Sequence, residues 1–124
     1  MAFNAAQFYQ KSSLQTASPA KIILMLYDGA IKFMNKALDG MTEKNIQKTN
    51  VNIVKAEKII NELRASLDKK YPVSKDFEAV YELIYRLLIR ANVHRDRQAL
   101  ERALEYTKEM RETWMEVMRL NNVR

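Results

Sequence analysis

Cysteine is absent from this 124-residue chain, histidine occurs once, and glycine and proline occur twice each. Without cysteine there is no disulfide framework, thiolate metal site or cysteine nucleophile, which suits a reducing cytoplasm. Two isolated glycines cannot build a phosphate-cradling loop. A single histidine, with no Glu-x-x-His pair, leaves out the di-iron pattern of helical bundles. No apolar run reaches the ~18 residues of a membrane span. The opening MAFNAAQFYQK has neither the charged start nor the apolar centre of a signal peptide. A soluble, cytosolic protein without membrane insertion is expected. Neither a catalytic residue nor a metal or cofactor is.

Lys, Glu, Leu, Ala, Arg and Met are abundant, and all are good helix formers. The fold class read from this is all-α. Ser18 is a good N-cap, because its hydroxyl can accept from a backbone N–H that lacks an intrahelical partner. Pro19 follows at the first helical position, where its missing N–H costs nothing. The first helix is expected from Pro19 to about Leu38, with Gly40 as its stop. A second runs from about Glu43 to Lys69, with Thr42 as its cap. Pro72 marks a loop. A third starts near Ser74 or Asp76 and ends near Asn92, and Asp96 caps a fourth that reaches about Asn121. Short connections make sequential helices antiparallel. The predicted architecture is an up-down-up-down four-helix bundle over residues 18–124. Residues 1–17 precede it as an N-terminal arm with Phe8 and Tyr9 as aromatic anchors.

The second and fourth helices carry narrow apolar seams that step by three and four. They are Ile46, Thr49, Ile53, Ala56, Ile60, Leu63 and Leu67, then Leu100, Ala103, Thr107, Met110, Trp114 and Val117. The first helix is broader. Ile22, Leu26, Gly29, Ala30, Phe33 and Ala37 make its core stripe at about 100° per residue. Leu24, Tyr27, Ile31, Met34 and Leu38 form a second set further round. On the third helix, Phe77, Val80, Ile84, Leu87, Leu88 and Ala91 are core positions, widened by Tyr81, Tyr85 and Ile89. Two readings follow. Either these helices are more deeply buried than their neighbours, or they present an apolar groove to another chain. In the second reading Leu24, Tyr27, Ile31, Met34, Tyr85 and Ile89 line the groove, and the arm covers it. Large uncovered apolar patches mark interaction sites.

The net charge of +6 is spread among acids, as on solvated helix faces, and no single basic stripe points to nucleic acid. The densest basic group, Arg86, Arg90, Arg95 and Arg97 around His94, reads as a polar helix junction that could also meet an acidic partner. Asp28 is placed on the polar side near Lys32, as a solvated ion pair.

The chain resembles the flagellar secretion chaperone FliS family over essentially its whole length. The resemblance is carried by Tyr9, Thr16-Ala17-Ser18-Pro19 and Met25-Leu26-Tyr27-Asp28-Gly29. It continues in Asn52, Lys55-Ala56, Ile59-Ile60 and Glu62-Leu63, then in Tyr85, Leu88, Ala91-Asn92, Arg111 and Trp114. Ile22 stands where leucine is more usual. The resemblance implies a non-enzymatic bundle that binds the disordered C-terminal segment of flagellin in the cytoplasm. It implies that binding prevents premature polymerisation and that the complex meets the flagellar export gate. It also implies an N-terminal arm that moves when flagellin binds. The rival reading is a structural bundle whose broad helices form a homodimer; a weak homodimer is compatible with either.

Overall fold

The structure, a computed structural model, describes residues 19–122. Four helices occupy them: α1 (Pro19–Thr42), α2 (Ile46–Ala65), α3 (Ser74–His94) and α4 (Arg97–Leu120). No strand occurs among the described residues. Each helix packs on two others, α1 on α2 and α4, and α3 on α2 and α4, which closes a four-helix bundle.

Contacts along two of the seams join the end of one helix to the start of its neighbour. Asn50 bonds Asn92 and Arg64 bonds Glu78 between α2 and α3. Between α1 and α4, Trp114 bonds Ala20 while Arg97 bonds Thr42. The core follows the expected seams closely. Ile53, Ala56, Ile60 and Leu63 of α2 are buried with Leu100, Ala103, Thr107 and Met110 of α4. Ile46, expected at the head of the α2 seam, is instead 57% exposed because it opens the helix beyond the bundle's end.

The helix ends differ from expectation in instructive ways. Gly40 does not stop α1 but lies inside it, buried against α2. A Cβ there would stand 2.6 Å from Thr49 Oγ1. The stop comes later, at Lys44, whose φ of 56° lies in the left-handed region. Asn45, rather than Thr42, caps α2, its side chain accepting from the Lys48 N–H at 3.0 Å. Asp96 caps α4 as expected, accepting from the Ala99 N–H at 3.0 Å. Ser18 lies outside the described residues, as does the arm with Phe8 and Tyr9.

Candidate functional site

Six consecutive apolar residues, Ile22 to Tyr27, wind through more than one turn of α1 and cannot share a face. Ile22, Leu26 and Tyr27 are buried, Ile23 and Leu24 are half-buried, and Met25 is exposed. The half-buried pair leads to two surfaces, one mainly apolar and one where Leu24 and two methionines lie among Glu112, Glu116 and Arg119.

Ile23 opens onto a hollow of about 230 Å³ at the end of the bundle where α1 begins. Leu67, Tyr71 and Val73 from the α2–α3 connection, Phe77 and Tyr81 from α3, and Trp114 from α4 supply its apolar wall, with Ser66, Asp68 and Ser74 at its polar side. The indole Nε1 of Trp114 donates to the Ala20 carbonyl at 2.8 Å, so its polar edge is satisfied and its ring is free to offer apolar surface. Phe77 meets Tyr81 edge-on, with centroids 6.3 Å apart. Behind this wall the hydroxyls of Tyr27 and Tyr81 bond to each other across the bundle interior. Burial raises both phenol pKa values, Tyr27 up to about 12 and Tyr81 further, the charge and hydrogen bond of Tyr27 reinforcing the rise at Tyr81.

Leu24 faces a second, shallower depression against Met115 and Met118 of α4. One turn on, Asp28 joins Arg111 of α4 at 2.5 Å. This corrects the expected Asp28–Lys32 pair: the carboxylate turns across the helix seam rather than along its own helix. Of the basic group around His94, Arg86 pairs with Glu82 and Arg90 with Asp96, as expected of a polar junction.

The predicted groove residues are distributed rather than gathered. Leu24 and Ile31 are half-buried, seven residues apart on one line of α1. Tyr27 and Met34 are wholly buried in the core, because α1 is covered by two neighbours and also reaches Tyr81 of the diagonal helix. Tyr85 is half-buried against the core, and Ile89 is 39% exposed. The Asn50–Asn92 and Arg64–Glu78 pairs set Glu57 level with Tyr85 on the α2–α3 face. Glu57 is notable: its Oε2 is buried without a hydrogen-bond partner, and burial raises its pKa. Phe77 and Trp114 read from periodicity as core positions and Ile23 as the edge of the α1 stripe, which does not reveal that all three border the hollow. Their place near helix ends, where flanking turns cease to cover a stripe, is the signal that could have found it.

Comparison with known proteins places this sequence in a family. The model of the family described as "Flagellar protein FliS" matches residues 1–121. The chain is 33% identical over 110 residues to the flagellar secretion chaperone FliS of Bacillus subtilis (strain 168), covering 89% of this chain and 83% of that protein. It is 32% identical over 114 residues to the protein of that name from Escherichia coli (strain K12), covering 90% and 84%. A relative in Campylobacter jejuni, likewise called flagellar secretion chaperone FliS, is 28% identical over 119 residues, covering 94% and 91%.

Proposed function

This chain belongs to the FliS family of flagellar secretion chaperones, and from that premise we propose that it binds the C-terminal segment of flagellin in the cytosol. It keeps the subunit from polymerising prematurely, and the complex is handed to the flagellar export gate. It does this as a binding protein, not as an enzyme. The family match over residues 1–121 carries this reading.

Energetics favour a client that runs along several faces. A disordered segment loses roughly 2–5 kcal/mol on ordering, and micromolar affinity needs about 8 kcal/mol net. At about 25 cal/mol per Å², that calls for at least on the order of 500 Å² of apolar burial, before the cost of lost translational and rotational freedom is met. One small hollow does not supply it. Apolar surface at Leu24 and Ile31 on α1, and at Tyr85 and Ile89 on α3, fits an extended, partly helical client that wraps the bundle. Tyr27 and Met34 support this surface from beneath, and Met25 and Met115 supply adaptable contacts. The arm, through Phe8 and Tyr9, covers the groove until the client arrives.

Sedimentation and calorimetric titration with a flagellin C-terminal peptide test the reading. A one-to-one complex is expected. Ile89→Asp and Leu24→Ala should each weaken it about tenfold, equivalent to ~1.4 kcal/mol, while Ile89→Asp melts as the parent does. A stable homodimer that ignores the peptide would overturn it.

A further inference from the structure

At the end of the bundle opposite the apolar hollow, the α1–α2 and α3–α4 turns lie side by side around a second hollow of about 380 Å³. Lys44, Arg95 and Arg97 line it, with Met41 and Ile46 as its apolar part. No carboxylate does. Three carboxylates close in sequence are engaged: Glu43 with Lys48 at 2.7 Å, Asp96 with Arg90 at 2.9 Å, and Glu101 with Arg97 at 3.7 Å. Arg97 is also held in place by Thr42 Oγ1 at 3.1 Å and the Leu38 carbonyl at 3.4 Å. Among the described residues neither Lys44 nor Arg95 has an ion-pair partner.

Backbone conformation supplies a second, independent observation. Lys44 has φ 56° and Arg95 φ 53°. Each follows its helix at the position where a left-handed residue closes the last turn. Asn45 N–H reaches back to Gly40 O at 2.8 Å and Asp96 N–H to Ala91 O at 3.2 Å. Glycine is the usual occupant of such a position, because a side chain there is strained. Both turns carry a long cationic residue instead, and both cations border one hollow. Strained non-glycine residues persist where the surrounding structure holds them; Asn122 after α4 is a third, of a residue type that tolerates this conformation.

We propose that this hollow is a docking site for an acidic segment of another protein, its carboxylates meeting Lys44, Arg95 and Arg97 and an apolar side chain resting on Met41 and Ile46. The site is separate from the groove proposed for flagellin and does not depend on that assignment. A positive charge beyond a helix C-terminus also favours the helix dipole. That role alone predicts no ligand, so binding separates the two.

Fluorescence anisotropy on the full chain tests it, with a labelled peptide of four glutamates around one leucine and its glutamine counterpart as control. The glutamate peptide should bind, weaken steeply between low and high salt, and outcompete the control by at least tenfold. The double variant Lys44→Gly and Arg95→Gly should lose that binding at least tenfold while melting no lower than the parent, since glycine relieves both strained turns. Lys44→Arg with Arg95→Lys should retain it. Undiminished binding by the glycine variant, or equal binding of the glutamine peptide, would overturn the proposal. So would an oligothymidine that binds the hollow more tightly than the acidic peptide.

Discussion

Tyr27 and Tyr81 place two phenol hydroxyls in the bundle interior, where each is the other's partner. A buried donor or acceptor left alone costs more than its hydrogen bond contributed. Tyr27→Phe should therefore destabilise by about 1–3 kcal/mol, and Tyr27→Phe with Tyr81→Phe by less than the sum, which a double-mutant cycle in urea reads directly. The same pair sets an alkaline limit. Both phenols have folded-state pKa values above their ordinary 10, Tyr27 near 12. Their contribution is complete below pH 10. Above it the unfolded chain ionises first, so stability falls as pH rises from 10 toward 12 and beyond. The double phenylalanine variant should show a flatter alkaline fall in melting temperature. Glu57 behaves oppositely to a paired carboxylate. Its buried Oε2 has no partner, and burial holds its pKa above the ordinary 4.5. Ionisation is thus easier in the unfolded chain, so this group erodes stability as pH rises past 4.5. Glu57→Gln should melt slightly higher at pH 7 and like the parent at pH 4.

The two glycines of α1 differ in what surrounds them, and substitution separates their roles. A Cβ on Gly40 would meet backbone, 2.8 Å from Thr49 N as well as 2.6 Å from Thr49 Oγ1. Gly40→Ala should force α1 and α2 apart, costing about 1–3 kcal/mol net despite the ~1 kcal/mol that alanine gains in a helix. Gly29 faces only the mobile end of Ile59, Cδ1 at 3.2 Å. Gly29→Ala should range from neutral to about 1 kcal/mol more stable. Urea midpoints at unchanged slope distinguish them. Gly40 also shows what a sequence conceals. The number and order of helices were legible from periodicity, capping residues and breakers, and Asp96 was placed to the residue. Whether a glycine ends a helix or admits a neighbour depends on a contact nine positions away, with Thr49, and local pattern does not carry that. Wheel angles likewise separate two faces of α1 but not which one meets the diagonal helix. Hence Tyr27 and Met34, read as groove residues, lie in the interior, while Phe33 of the expected core stripe is half-buried under Lys32, Lys36 and Lys55.

As a whole, the molecule has ends of opposite character. One presents Ile23, Phe77 and Trp114 around an apolar hollow, and the other presents Lys44, Arg95 and Arg97. Pro19, where the described chain begins, belongs to the apolar end, so residues 1–18 join the bundle at that end. That connection follows from α1 starting there and is independent of where the arm rests. The arm proposed above as the groove's cover would compete with the client, and apparent affinity would fall to the fraction of time the groove is open. A groove open about one tenth of the time would bind about tenfold more weakly than its contacts allow. Deleting residues 1–16 should therefore tighten binding of the flagellin peptide by the inverse of that fraction, read by calorimetry. The uncovered apolar surface should at the same time drive concentration-dependent self-association, read by sedimentation. The two effects share one cause, so the flagellin peptide should reverse the self-association when it occupies the groove. A truncated chain that stays monomeric and binds the peptide no differently would remove the arm from the mechanism while leaving the client surface in place.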